Sequence, residues 1–186
     1  MGTGNGSIIA LNRMTERSTR AGFTLIELII VIAIIAIISA AVFVAIDPAR
    51  RLHAARNSSR WADVTAVLEA VKKYQVDNDG DLPATAVAID SAVATVQLIG
   101  QNIGPCNTLT CSGTSIVTSG CGVSGLGADL APYLKKIPKD PKTGSANDTR
   151  YHINKDAYGL LSVGACDEEG EGQGGAGDVP EIEVSR

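Results

Sequence analysis

The sequence predicts an α+β protein with one long N-terminal helix followed by a small head of short strands. Residues 23–46 are nearly all apolar, and apolar side chains then recur at spacings of three and four residues as far as Tyr74. Residues 151–154 and 160–163 have the composition of two strands joined by a turn. A helical pattern followed by strand patterns in one chain is typical of the α+β class.

Composition narrows the class of protein. The chain has 186 residues, a formal net charge of −4 and only 4% aromatic residues, so it lacks the basic surface of a nucleic-acid-binding protein. No serine-hydrolase, zinc-protease, Walker or dinucleotide-binding motif occurs. We therefore predict no enzyme, no cofactor and no metal site. The apolar run of 24 residues also excludes a plain soluble enzyme.

The first predicted element, residues 23–46, is a membrane-spanning helix. About 20 apolar residues are enough to cross a bilayer core of about 30 Å. The run is longer than the core of a signal peptide and no A-x-A site follows it, so ordinary signal cleavage is not expected. Three arginines in residues 1–22 favour a cytoplasmic leader. Four arginines after the run oppose this orientation, and we give more weight to the leader and the distal cysteines.

Glu27 is the one acidic residue in the apolar run. A carboxylate at the centre of a bilayer costs on the order of 2.5–3.5 kcal/mol. Glu27 either lies near the headgroups, where the cost is smaller, or has a cationic partner. No Lys or Arg follows it at a spacing of three or four residues, so such a partner would come from elsewhere.

Residues 20–27, Arg-Ala-Gly-Phe-Thr-Leu-Ile-Glu, resemble the class III signal of type IV pilins and pseudopilins: a basic leader, Gly before Phe, a Glu five residues into the mature chain and an apolar stretch. The resemblance implies that a prepilin peptidase cuts after Gly22 and N-methylates the new amino terminus of Phe23. It implies that the Phe23 ammonium of a neighbouring subunit partners Glu27 during assembly. It also implies a type IV pilin-like fold, in which the later part of the helix packs on a small antiparallel sheet.

The function that the resemblance implies is structural. A single-pass precursor in the inner membrane, with its head outside, would be polymerised by the pilus assembly machinery through its N-terminal helix into a cell-surface filament. The implied partners are the peptidase, this machinery, the membrane and further copies of the chain. Two alternatives are a pseudopilin of a type II secretion-like system and a single-pass anchored extracellular binding protein. The arrangement of Gly22, Phe23 and Glu27 argues against the second.

The second predicted element, residues 47–76, continues the helix as an amphipathic segment, with a kink expected at Pro48. Its expected apolar stripe comprises Leu52, Trp61, Val64, Val67, Leu68, Val71 and Tyr74. His53 is expected to face solvent or another subunit. Gly80 is a candidate left-handed residue after the helix. The acids at residues 77, 79 and 81 have the spacing of a calcium loop but lack its Gly and Glu, so a solvated helix end is the preferred interpretation.

Residues 77–166 are predicted to form the head, with an αβ loop and a short antiparallel sheet. Residues 84–103 have the composition of a short second helix, residues 116–117 of a strand, and residues 129–137 of one or two helical turns. The segment Pro-Lys-Asp-Pro at residues 138–141 resembles the P-x-D-P region of major pseudopilins and several bacterial pilins. Residues 180–184 are a candidate edge strand.

Four cysteines, Cys106, Cys111, Cys121 and Cys166, lie in the head, and none has metal-ligand spacing with another Cys or a His. An even number in a region rich in Gly and Ser fits two disulfides in an oxidising compartment. Three pairings are possible. We favour Cys106–Cys111 with Cys121–Cys166, because the first closes a tight local loop and the second links the last core strand to the Gly-rich loop.

Residues 167–186 form the last predicted segment, an acidic and Gly-rich tail. Seven acids face one arginine from residue 161 onward. Residues 167–178 carry almost no apolar side chain that could be buried, so composition predicts that they are mobile.

Overall fold

The computed structural model describes residues 22–84, 97–100, 109–111, 114–116 and 123–186. The chain divides into two compact units, one ending at Ala45 and one running from Ile46 to Arg186. The first contains all but the last residue of helix α1, Leu25–Ile46, in which no residue is buried. Because this helix is apolar on every side, it is suited to lipid or to the cores of neighbouring helices rather than to water.

The second unit begins with helix α2, Pro48–Asp77. Asp47 separates the two helices: its φ of +45° is left-handed, and its carboxylate accepts a hydrogen bond from the Arg50 amide as the N-cap of α2. Pro48 is the first residue of α2, where a missing amide hydrogen costs nothing. The break expected at Pro48 therefore occurs at Asp47. Gly80, with φ +95°, is left-handed as predicted and donates its amide to the Gln75 carbonyl.

The described strands of the head are β1 Gln97–Gly100, β2 Leu109–Cys111, β3 Thr114–Ile116, β4 Val123–Ser124, β5 Tyr151–Lys155, β6 Leu161–Ala165 and β7 Glu183–Ser185. Five of them form a sheet in the order β4-β1-β5-β6-β7. The pairs β1–β5, β5–β6 and β6–β7 are antiparallel, and β4 adds to β1 in parallel. A separate hairpin pairs β2 with β3. A short helix, α3 (Leu126–Asp129), and a 3₁₀ turn, Gln173–Gly175, complete the head.

The core lies between α2 and this sheet. Val64, Val67 and Val71 of α2 are fully buried against Ile153 of β5 and Val163 of β6, which are directly paired. The predicted α+β fold, with a long N-terminal helix and a small antiparallel sheet, is confirmed. The hairpin predicted from residues 151–154 and 160–163 is formed by β5 and β6.

The buried face of α2 differs from the predicted apolar stripe at its N-terminal end. Leu52 and Trp61 are exposed, whereas Asn57 and Arg60 are buried. The stripe from Val64 onward continues towards the N-terminus at helical spacing, but through polar residues, which a search for apolar periodicity does not find.

Residues 97–100, expected to be helical, form the buried strand β1. A short apolar run does not by itself distinguish a buried strand from a helix. Two further parts of that expected helix, residues 85–96 and 101–103, lie outside the described residues. Strand β3 and the turns after residue 129 are close to their predicted positions, and β7 is an edge strand slightly later than expected.

The expectation that residues 167–178 are mobile is wrong: this C-terminal loop packs on the first turns of α2. The Gly174 amide donates to the carboxylate of Asp47, and Glu169 is buried. The glycines of the C-terminal loop allow close packing. Gly175 has φ +76°, and a Cβ there would lie 2.6 Å from Cε1 of His53. A Cβ at Gly172 would overlap the carbonyl oxygen of Ala176.

Candidate functional site

The predicted cleavage site lies in an open segment before α1. Gly22, Phe23 and Thr24 have no regular secondary structure, and the Phe23 side chain is 91% exposed. Among the described residues, apart from Gly22 and its chain neighbours, no atom lies within 4 Å of the position that a Gly22 Cβ would take. Gly22 and Phe23 are thus exposed in the described part of the chain and lie outside helix α1.

Thr24 and Glu27 form a reciprocal cap at the N-terminus of α1. One carboxylate oxygen of Glu27 accepts hydrogen bonds from the Thr24 amide at 2.8 Å and from its hydroxyl at 2.7 Å. The Thr24 hydroxyl oxygen in turn accepts from the Glu27 amide at 3.2 Å. This is a capping box, and it satisfies backbone donors that have no partner within the helix.

Within one subunit, the capping box supplies the hydrogen-bond donors of the Glu27 carboxylate. The two donors are neutral, and the carboxylate also lies at the positive end of the helix dipole. We expected a cation from elsewhere and missed this local partner. The sequence carries the signal, because Thr24 precedes Glu27 by three residues just before an apolar run.

A second arrangement lies inside the head, and we call it the ion cluster: Arg56, Arg60, Asp140, Lys142 and Glu169. Arg60 and Asp140 both have side-chain exposures of 0%, and the Arg60 Nε lies 2.6 Å from Asp140 Oδ2. Arg60 also lies 3.3 Å from Glu169, which pairs with Arg56 at 2.9 Å and Lys142 at 2.8 Å. The cluster joins α2, the loop after Pro138 and the C-terminal loop.

The pKa values of the two acids in the ion cluster reflect their cationic partners. Burial raises the pKa of Asp140, but hydrogen bonds from Arg60 and from the amides of Thr143 and Lys142 outweigh it and hold the pKa below the ordinary value. Burial likewise raises the pKa of Glu169, and Lys142 and Arg60 lower it further than burial raises it. Both groups are therefore carboxylates at neutral pH.

His53, which was expected to face solvent or another subunit, contacts the C-terminal loop of its own chain. Its Nδ1 lies 2.9 Å from the Gly170 carbonyl oxygen, and its Nε2 lies 3.5 Å from Glu169. Asn57 donates to the Glu169 carbonyl at 2.7 Å and accepts from the Glu169 amide at 3.1 Å. Sequence reasoning missed this interface because its contacts join residues more than 100 positions apart.

Two of the four predicted disulfide cysteines can be located. Cys111 ends β2, and Cys166 follows β6, where it is buried and disulfide-bonded. The Cys166 Sγ lies 3.7 Å from Nδ1 of His152. Cys106 and Cys121 lie outside the described residues, so the predicted pairing remains a prediction.

Within the described ranges, no group of three or more His, Cys, Asp or Glu side chains could hold a metal ion. The acids at the end of α2 illustrate this. Asp77 accepts a hydrogen bond from the Tyr133 hydroxyl at 2.7 Å, and Asp79 and Asp81 are exposed.

The described part of the chain contains one helical stretch long and apolar enough to cross a membrane, near the N-terminus. Together with the small antiparallel sheet, this stretch defines a type IV pilin-like α+β fold. The exposed residues Gly22 and Phe23 and the capped Glu27 stand at the start of that stretch.

Comparison with known proteins agrees with this class. Residues 17–43 match the family model described as the prokaryotic N-terminal methylation motif, the class III prepilin signal of type IV pilins and pseudopilins. No curated protein and no solved structure is significantly similar to the chain. The match supports a type IV pilin-like or pseudopilin precursor that is membrane-anchored, is processed by a prepilin peptidase and then enters a filament. Proteins with this signal are structural subunits.

Proposed function

We propose that this chain is the structural subunit of a type IV pilus-like surface filament. The single observation that carries the proposal is the prepilin signal at residues 17–43, most of which lies in an apolar helix with no buried residue. A helix that exposes almost only apolar side chains needs lipid before assembly and neighbouring helices afterwards. The membrane is thus a reservoir, and the filament core replaces it.

The first step is processing. The leader stays in the cytoplasm, the head lies outside, and the prepilin peptidase cuts the Gly22–Phe23 bond at the cytoplasmic side. A residue larger than Gly22 would not fit the peptidase. The cut creates a Phe23 ammonium, which the peptidase methylates once. Thr24 and Glu27 stay in the mature chain, so the capping box survives the cut.

The second step is an exchange of partners at Glu27. Within the described residues of the lone subunit, the carboxylate accepts two neutral hydrogen bonds, both from Thr24. A Phe23 ammonium from an adjacent subunit offers a charge-assisted bond, which is about twice as strong as a neutral one. Since the attraction acts in a medium of low dielectric constant, it favours subunits in the correct axial register.

The test of this function is the mature N-terminus. Filaments sheared from cells should contain a chain that starts at Phe23 and carries one added methyl group, measured by mass spectrometry. A Gly22→Leu variant should accumulate as unprocessed membrane protein without filaments. A mature chain that retains the leader, or that is cut after Ile46, contradicts the proposal.

A pseudopilin of a type II secretion-like system is the second candidate, and the resemblance of residues 138–141 to the P-x-D-P region favours it. The two functions differ in what deletion of the gene abolishes. Loss of surface filaments with normal protein export supports the pilus, whereas retention of exported proteins inside the cell envelope supports the pseudopilus. An anchored binding protein would need neither processing nor polymerisation.

A further inference from the structure

A groove on the head lies between α2 and the edge strand β7. It has a volume of about 500 Å³ and is lined by Leu68, Glu69, Lys72 and Lys73 of α2 and by Val184 and Arg186. Leu68 and Val184 supply apolar lining. Strand β7 ends the sheet order, so one of its edges has no neighbouring strand. We call this feature the basic groove.

The rim of the basic groove carries an excess of positive charge. Among the lining side chains, three cations, Lys72, Lys73 and Arg186, face one acid, Glu69. None of the ion pairs among the described residues involves these three cations. The positive charge is therefore available to a partner.

A segment of complementary character lies elsewhere on the same head. Residues 178–181, Asp-Val-Pro-Glu, have no regular secondary structure and run just before β7. Val179 is 50% exposed between two exposed acids, Asp178 and Glu181, neither of which is ion-paired within the described ranges. We call residues 178–181 the acidic segment. Its two negative side chains are opposite in sign to the excess of cationic side chains in the groove.

The acidic segment is held in position at both ends. The Asp178 carbonyl accepts a hydrogen bond from the Glu171 amide at 3.1 Å, and the next residue after the segment, Ile182, is fully buried in the core. A pre-ordered segment loses little conformational entropy when it binds.

The acidic segment starts at a different position along α2 from the groove and then leads into β7, so its Asp178 end cannot enter the groove of its own head. The acidic segment is tied through Glu171 to Asn57, at the start of the buried face of α2. The groove is centred on Glu69, 12 residues further, which is about 18 Å at about 1.5 Å per residue. Two different patches on one subunit make a head-to-tail contact, and such a contact repeats into an open helical array unless it closes into a ring.

We infer that the basic groove binds the acidic segment of a second copy of this chain, with Val179 against Leu68 and Val184 and the acids beside the groove's lysines. The inference rests on the proposed filament function and adds a contact between heads to the contact between N-terminal helices. Apolar filling gives the contact its affinity, and opposite charges set its register and exclude other alignments.

Charge reversal tests this contact in cells that make the full chain. Lys72→Glu with Lys73→Glu should lower the yield of sheared filaments at least about tenfold, because the two new acids and Glu69 then face Asp178 and Glu181. Asp178→Lys with Glu181→Lys should do the same. The quadruple variant restores opposite charges and should recover filaments. Lys135→Glu with Lys136→Glu, an exposed lysine pair outside the groove, is the matched control and should assemble normally.

The processed membrane pool, measured by immunoblot, separates assembly from folding. If a charge-reversal variant is lost from that pool, Lys72→Gln with Lys73→Gln replaces it and should give filaments that dissociate at lower salt than wild type. Normal filaments from both double variants, failure of the quadruple variant to recover, or unchanged salt resistance of the Gln variant would overturn the groove contact. Absence of filaments from the wild-type chain would instead overturn the proposed filament function.

Discussion

Removing the Asp140 carboxylate is the most informative perturbation of the head. In the folded protein this group holds Arg60, whose side chain is fully buried. One oxygen accepts from the Arg60 Nε, and the other accepts from the amides of Lys142 and Thr143, each at 2.8 Å. Asp140→Ala thus leaves a buried guanidinium without its nearest carboxylate and two amides without their acceptor.

The expected loss follows from this geometry. Breaking a buried ion pair by removing one partner costs about 3–5 kcal/mol, because the remaining charge stays buried. Glu169 still lies 3.3 Å from Arg60, which argues for the lower half of that range. Asp140→Asn should cost less, since its amide oxygen can still accept from the two backbone amides. Its NH₂ group, however, would face the Arg60 Nε, a donor opposite a donor.

Urea unfolding of the full chain in detergent micelles measures these costs. Trp61, the single tryptophan, lies next to Arg60 on α2 and reports the transition by its fluorescence. For a slope of about 2 kcal/mol per molar urea, the Asp140→Ala midpoint should fall by about 1.5–2 M. Lys142→Ala is the matched control: it removes a 2.8 Å contact with Glu169, but Lys142 is 51% exposed, and such a pair contributes less than about 1 kcal/mol.

An Asp140→Ala midpoint no lower than that of Lys142→Ala would refute the reasoning. It would mean that water or a rearranged Glu169 compensates Arg60, and that the ion cluster does not hold the C-terminal loop on α2.

Four further predictions concern the N-terminal helix, the cysteines and the head. Glu27→Ala should leave membrane insertion and cleavage intact yet reduce the yield of sheared filaments several-fold. Thr24→Ala keeps the charge of Glu27 and should assemble. Equal filament yields from the two variants would mean that Glu27 is only an interfacial carboxylate. Peptide mapping without reduction should find a Cys121–Cys166 bond, and free thiols would contradict it. Gly175→Ala should destabilise the head by more than Gly174→Ala, because, of these two glycines, Gly175 abuts His53. For Gly174→Ala the expected cost is that of the left-handed backbone, about 1–2 kcal/mol. Equal urea midpoints of the two variants would exclude the contact with His53. Because both acids of the ion cluster have a lowered folded-state pKa, their stabilisation is fully present above the ordinary carboxyl pKa of about 4. It is lost as pH falls through the lowered values, so urea midpoints measured from pH 7 to pH 3 should fall only at the acid end; a fall above pH 5 would contradict this.

The processing signal and the apolar helix could be recognised from the sequence because both are local. A peptidase binds an extended segment of a few residues, and membrane insertion depends on the length and polarity of one stretch. The hairpin of β5 and β6 was predicted for a similar reason, since its two strands are joined by a short turn. The capping box of Thr24 and Glu27 was equally local, and it was missed although its spacing is visible.

The remaining features depend on contacts between residues that are distant in sequence, so they could not be predicted from the sequence. Arg60 contacts Asp140 and Glu169 across 80 and 109 positions of sequence. In the sequence alone, each of these charged residues looks like a residue of a solvated surface. The C-terminal loop shows the same limit. Its composition predicts disorder because it has little apolar surface to bury, but polar contacts with α2 order it, and its glycines allow the close approach. Charge and hydrophobicity along the chain determine which segments meet lipid; only the tertiary structure determines which buried charges find partners.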